Sequence, residues 1–335
     1  MILLTLAGLA PCAHTQADGD RLSPELTVEP ELTVEIVKVV DGDTLDVRLD
    51  GAEVTLRLSS VDTEEKISGR PLTSPTKPQT VFGEETAQWA REFFAALGQP
   101  ARVGLAFPEG RRNDAYGRLL CHVILPDGRD YNLLLVELGK SPYFNKYGND
   151  LVAHEAFVRA QAAARVAELG LWNPATNRAK TLGAPSVVRP YAELLAWWNA
   201  RAAAIDAFRA RAERDATISH EDPAGLQRAF ERCAKDAHAR VTIFGEIERF
   251  YDERDGSLTV LLRAGDRSSA LRATLPAEER AELEPFLRST TGEFTQNYLY
   301  ATGWLGRNAR GFLLSGARRS DWRLAEPAAT LAAPR

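Results

Sequence analysis

Residues 33–61 run TVEIVKVVDGDTLDVRLDGAEVTLRLSSV. Three apolar-rich segments with β-branched alternation, TVEIVKVV (33–40), TLDVRL (44–49) and EVTLRLSSV (53–61), are separated by the polar turns DGD and DGAE. Asp-Gly between alternating segments is a strong short-range hairpin signal, so the stretch predicts a three-stranded antiparallel meander. One Asp-Gly is enough to reverse a chain, yet the first turn holds Asp41 and Asp43, with Asp46 close behind. Carboxylates so crowded repel one another unless a cation sits among them.

Further along, FGEETAQWAREFFAAL predicts a helix over 82–97, with Phe82, Trp89 and Phe93 at helical spacing. Between them, residues 66–80 carry three prolines and no apolar period, which predicts a loop. ARVGLAF and GRLLCHVILP return to strand patterning, and helices are expected at 131–138 and at 151–169, the latter stopped by Gly170. Three strands, a helix, two strands and closing helices make an α+β, mainly β plan: a five-stranded barrel of the OB-fold type over 33–175. Residues 176–188 are expected to be a linker. A helical pair over 189–239 follows, in which Leu194, Trp198, Ala202, Ile205 and Phe208 share one face and Asp222-Pro223 caps the second helix. Strand patterning over 240–325 predicts a second small OB-like β-barrel. Its Phe250, Tyr251, Tyr298, Tyr300 and Trp304 are expected to fill the core and its rim, with a base-stacking face as the alternative.

The 335 residues are 44% hydrophobic and 26% charged, an ordinary globular balance. No apolar run is long enough to span a membrane. The first seventeen residues, MILLTLAGLAPCAHTQA, have the apolar centre and small-residue end of an export signal, although a basic start is missing. Export is the expectation, with cleavage after Ala17; a lipid anchor at Cys12 in LAPC is the alternative. Residues 18–32 are polar and acidic and are expected to be an extended lead-in. Cys12, Cys121 and Cys233 have no metal or redox spacing and are expected as thiols.

Taken singly, an acidic turn, an arginine on a strand or a YGR tripeptide says little. Together, VVDGDTLDV, VTLRLSSVDTEE, FGEETAQWA, DAYGRLLCHVILPDG, YNLLLVELG and ELGLW, in this order and spacing, resemble the staphylococcal nuclease family over about 34–172. The resemblance implies a Ca²⁺ site with Asp43, Asp62 and the Thr63 carbonyl as ligands, a hard cation on oxygen donors. It implies a phosphodiesterase in which Glu65 serves as general base and Arg57 and Arg118 meet the charge of the transition state. It also places Tyr116 on substrate phosphate, with Tyr147 and Tyr143 as aromatics that pack against a base or, as the alternative, within their own loop; Arg111 and Arg112 make a local basic cluster with Arg118. The implied activity is endonucleolytic cleavage of DNA and RNA, with low sequence specificity and 3′-phosphate products. The alternative is a catalytically weak nucleic-acid-binding or scaffold protein on the same barrel; retention of all five catalytic and ligating side chains argues against it.

Some residues depart from the family pattern. Glu64 stands where a proline is usual and is expected to point to water, Ala115 stands where the family's type member has a lysine, and Asp41 and Asp46 are expected to cap the turn and face solvent. Residues 31–175 hold 16 Lys+Arg against 21 Asp+Glu, while the whole chain has a net charge of −5. A basic field is what normally draws nucleic acid in, so a weaker, more metal-dependent enzyme is expected. Residues 176–335 carry no comparable constellation; binding of substrate or of a protein partner is the expectation for them, and His220 and His238 are expected as surface or packing residues.

Overall fold

The computed structural model describes residues 28–68, 76–108, 112–114, 116–178, 188–236, 239–262, 270–316 and 318–325. The expected leader and lipid anchor, most of the lead-in, Arg111, Ala115, most of the linker and His238 lie outside the described residues. Among the described residues no helix is long and apolar enough to cross a membrane.

The opening meander forms as its turns predict. Strands β1 (Leu32–Asp41), β2 (Thr44–Leu49) and β3 (Ala52–Leu58) are antiparallel neighbours, and Asp50 and Gly51, both at positive φ, make the second turn. Helix α1 (Val81–Ala96) follows, then β4 (Arg102–Ala106), the short β5 (Arg112–Asn113) and β6 (Leu119–Ile124). β3 pairs in parallel with β6, β6 pairs with β4, and β4 returns to β1. The ring β1-β2-β3-β6-β4 is thereby closed, a five-stranded OB-type barrel with no free edge inside the ring. Period-2 alternation puts Leu45, Val47, Leu56, Leu58, Val103, Leu105, Cys121 and Val123 into one core. Helices α2 (Tyr131–Glu137) and α3 (His154–Val166) close it, and Tyr131 packs against Trp89, Phe93 and Phe94 of α1.

Helix α4 (Tyr191–Ala212), strand β7 (Ile218–His220) and helix α5 (Pro223–Lys235) come next. The Asp222 cap forms as expected, its carboxylate accepting the Gly225 N–H. The second barrel uses β8 (Val241–Asp252), β9 (Leu258–Leu262), β10 (Leu271–Leu275), helix α6 (Ala277–Ser289), β11 (Tyr298–Asn308) and β12 (Gly311–Ser315), with β13 (Trp322–Leu324) on β11. Its meander β8-β9-β10, parallel β10–β12 pair and closing β12–β11–β8 contacts repeat the first barrel's ring, with the helix again between third and fourth strands. The chain therefore holds two OB-type barrels of one topology, the second as the β pattern over 240–325 predicts.

Helix α4 differs from the expectation of a single apolar face. Besides the five residues on that face, Leu195, Trp197, Arg201, Ala204 and Ala207 are buried. The reason is that both barrels press on it. Trp198 meets Phe144 edge-on and Arg201 donates to the Lys146 carbonyl on the first barrel's side. On the other side Phe208 stacks on Phe244 at 4.4 Å, and Arg201 pairs with Glu246 and Asn297. Tyr298 and Tyr300 are buried beside Phe244, so they fill the core, while Tyr251 and Trp304 are exposed.

Candidate active site at the end of the first barrel

Local structure brings the acidic turn and the end of β3 together. Gly42 lies so close under Thr63 and Thr86 that a Cβ there would come within 2.8 Å of both methyl groups. Asp43 accepts the Thr63 N–H at 2.8 Å and the Thr44 hydroxyl at 3.1 Å. Asp62 is fixed from behind: its N–H donates to Ser141, and Phe144 N–H donates to the Ser60 carbonyl. The strip 62–65 then lies against the start of α1, where the Thr80 hydroxyl caps the helix and also donates to Glu64 at 2.5 Å.

Arg57, in β3 beside Asp43, spans the two expected ligands. It forms an ion pair with Asp43, donates to Asp62 Oδ1 at 2.6 Å and reaches the Val61 carbonyl at 3.2 Å. Burial opposes its charge, but Asp43 and Asp62 hold the guanidinium protonated well above the ordinary arginine range. Two further cations converge on Asp62: Lys77 Nζ lies 2.7 Å from Oδ1, and Arg189 pairs with Oδ2. Burial alone would push the Asp62 carboxyl upward; Lys77, Arg189 and Arg57 overcome it and hold the group far below the usual carboxylate range.

The remaining acids feel an excess of negative charge. Asp41 is lifted to about 7 by burial and by Asp43 and Glu65, against Arg57. Its carboxylate caps the Asp43 N–H, as expected of the turn, but it is half-buried against Asp43 and does not simply face solvent. Glu65 is raised by burial, with Lys77 opposing and Asp43 and Asp62 adding. Among the described residues its carboxylate makes no hydrogen bond or ion pair, which leaves it available to a proton. Asp46 does take a surface role, accepting from Thr55 across the strands.

Glu64 corrects the expectation that it faces water. It is buried, and Thr80, Asn177 and Tyr191 donate to its carboxylate. Those last two partners come from beyond the barrel, where the sequence suggests only a linker and a helix start.

The other expected site residues are placed variously. Arg118 stands just before β6, two residues ahead of Leu120, the partner of Arg57 in β3, so the two arginines share a face of the sheet. Its guanidinium is part-exposed, paired with Asp114 at 2.6 Å and 5.4 Å from the Tyr116 ring. Tyr116 is almost wholly exposed, and Tyr147 is exposed with Lys146 Nζ 5.6 Å from its ring. Arg112 is exposed in β5. Tyr143 is core: it stacks on Phe157 at 5.0 Å and its hydroxyl bonds His154 and the Asp150 N–H, so it presents no face to a base. Sequence reasoning missed a buried network beside it, in which His122 bridges Asp130 (2.7 Å) and Asp150 (3.0 Å) and Ser60 donates to Asp150.

Whether a cation fits can be judged from the donors and their charge. Among the described residues no three His, Cys, Asp or Glu side chains converge as a ready ligand set. The two-carboxylate arrangement with a backbone carbonyl is the sparse, hard-oxygen kind that completes itself with water. Five carboxylates (Asp41, Asp43, Asp62, Glu64, Glu65) face three cations (Arg57, Lys77, Arg189). Full ionisation leaves two negative charges, the amount one divalent ion neutralises; the upward shifts of Asp41 and Glu65 come first from burial, with neighbouring carboxylates adding to them. The residues therefore fit a divalent cation, with Lys77, its side chain 42% exposed, as the movable competitor at Asp62 Oδ1.

Comparison with known proteins agrees with this geometry. The family described as "Staphylococcal nuclease homologue" matches residues 55–174. An uncharacterized protein of Methanocaldococcus jannaschii is 28% identical over 154 residues, covering 42% of this chain and 72% of its own. An uncharacterized endonuclease of Escherichia coli O157:H7 is 27% identical over 140 residues, 42% of this chain and 76% of its own. Endonuclease YncB of Bacillus subtilis is 27% identical over 150 residues, 44% and 66%. Residues 55–174 are accordingly a domain of the staphylococcal nuclease homologue family.

Proposed function

We propose that this protein is a Ca²⁺-dependent endonuclease that cleaves DNA and RNA with little sequence preference, leaves 3′-phosphate ends and acts outside the cytoplasm. The coarser statement stands on the family match: the chain is a nuclease, a phosphodiester hydrolase acting on nucleic acid, of a typically metal-dependent family. The observation that carries the finer reading is the convergence of Asp43, Asp62, Glu65 and Arg57 at one end of the first barrel.

Asp43, Asp62 and the Thr63 carbonyl are the groups that would hold the cation, which when bound supplies positive charge to the phosphate. Glu65, its carboxylate unengaged and its proton affinity raised, takes the proton of the attacking water. Arg57, held by Asp43, Asp62 and the Val61 carbonyl, keeps its positive charge beside the two ligands, where it can meet a phosphate oxygen. Arg118, part-exposed on the same face, can leave Asp114 for a second oxygen; its planar fork suits bidentate contact. Tyr116 and Tyr147, exposed beside cations, suit sequence-tolerant contact with phosphate and base. The acidic surface supports weak binding that leans on the cation.

The test is cleavage of plasmid, single-stranded DNA and RNA by the chain lacking residues 1–17, in Ca²⁺ and in EGTA, beside Glu65→Gln. Calcium-dependent cutting that the substitution lowers by about two to three decades supports the reading. A folded protein that cuts none of the three substrates refutes it. That result would favour the scaffold alternative, which three cations already seated on Asp62 make the specific rival.

A further inference from the structure

The strip that carries Asp62, Glu64 and Glu65 is fastened from outside the family's domain. Arg189 stands before α4, beyond the matched residues, and its side chain is almost fully buried. Every arm of its fork is used on the site: Nε donates to the Thr76 carbonyl at 2.6 Å, one terminal nitrogen to the Asp62 carbonyl at 3.2 Å, and the other pairs with Asp62 Oδ2. Tyr191 and Trp198 of α4 lie 5.6 and 5.5 Å from the guanidinium, and the Tyr191 hydroxyl donates to Glu64 at 2.8 Å.

We propose that Arg189, seconded by Tyr191, is a positioning residue for the nuclease site, so that the site is complete only when the second half of the chain is docked. Arg189 takes Oδ2 and the backbone carbonyl of Asp62 together, which fixes the carboxylate plane and turns Oδ1 toward Arg57 and Lys77, the side on which Asp43 lies. It also ties Thr76 to Asp62, and so holds Lys77 next to the site. Tyr191 does for Glu64 what the family's usual proline cannot, anchoring the backbone next to the general base through a side chain. The fork, not the charge alone, does this: a lysine carries its donors on one nitrogen and lacks the rigid plane that meets these acceptors from three separate nitrogens. Arg189 owes its own place to α4, which is clamped between the barrels through Trp198, Arg201 and Phe208. The second barrel thereby acts on catalysis through the position of Asp62.

This inference rests on Asp62 as a cation ligand, and the experiment separates the two. Full-length Arg189→Gln, Arg189→Lys and Tyr191→Phe are compared with the parent for Ca²⁺ dissociation constant by calorimetry on the Glu65→Gln background, and for kcat and KM on a single-stranded oligonucleotide. Partners that orient a metal ligand typically govern about 10–100-fold in affinity or activity. Both Arg189 substitutions are expected to weaken Ca²⁺ binding at least about tenfold and to lower kcat more than they raise KM, with Tyr191→Phe following in milder form. Arg189→Lys behaving as the parent would overturn the positioning role, because charge would then suffice. Tighter Ca²⁺ binding and faster cleavage in Arg189→Gln would also overturn it, making Arg189 a competitor of the cation. If Arg189→Gln does not fold, Tyr191→Phe, which removes one hydroxyl, decides: unchanged binding and kcat refute the proposal. A parent that neither binds Ca²⁺ nor cuts fails the functional reading instead.

Discussion

Gly83→Ala tests how the site is built. Gly83 lies in the first turn of α1, directly over the strip 64–65. A Cβ there would fall 2.6 Å from the Glu65 carbonyl carbon and 2.7 Å from the Glu64 carbonyl oxygen, and closer still to the Glu65 oxygen. All three atoms are backbone, so no side chain can swing aside, and helix and strip must part by roughly 1 Å to restore ordinary contact. Alanine in a helix gains about 1 kcal/mol over glycine, while overpacking costs about 1–3 kcal/mol. The net loss of stability is then about 0–2 kcal/mol, a few degrees in Tm at most for a chain of this size. Glu65 moves with its backbone, however, and a misplacement near 1 Å costs about 10²-fold in rate. Thermal melts run beside Ca²⁺-dependent oligonucleotide cleavage should show a small loss of stability and a large loss of kcat. Gly83→Ala that is more stable than the parent and equally active would show that α1 does not press on the catalytic strip, and the reasoning would fail.

Two further perturbations address the frame around the site. His122 is buried; burial pulls its pKa down, but Asp130 and Asp150 outweigh it and raise it to about 10, above the ordinary 6.5. A pKa raised by folding contributes stability that is full below about pH 6.5 and is lost as pH climbs toward 10, so the urea midpoint of the parent should fall between pH 7 and 9.5. His122→Gln, which strands two buried carboxylates, should cost about 3–5 kcal/mol at pH 7 and flatten that decline; a parent midpoint independent of pH would contradict the network. Phe208→Ala removes the ring stacked on Phe244 and should cost about 3–5 kcal/mol in a denaturant titration, whereas no loss would mean that α4 is not clamped by the second barrel.

Much of this was open to a reader of the sequence, for identifiable reasons. Asp-Gly turns and period-2 alternation are local signals, so the meander, the cap of α5 and the order of elements in both barrels follow from short windows. What misled were residues whose surroundings come from far along the chain. Glu64 looks like a surface acid until Asn177 and Tyr191 cover it, the latter 127 residues away. Tyr143, an aromatic in a loop-like stretch, is drawn inward by Phe157, His154 and Asp150. Helix α4 has the pattern of a one-sided helix, because nothing in that window shows that the second barrel docks on Trp197 and Arg201. Arg189 sits in the string VVRPY, and nothing there announces three acceptors on Asp62 and Thr76, more than a hundred residues away.

The sequence by itself determined the strands, the turns and the barrel, because each rests on neighbours a few positions apart, and through a motif of fixed spacing it nominated residues to hold a cation and move a proton. Only the tertiary structure decided which charges meet. Asp62 lies among Arg57, Lys77 and Arg189, and its state depends on distances that closing the barrel and docking α4 set. Coulomb energy depends on separation in space and on the water excluded between charges, and neither quantity is written along the chain.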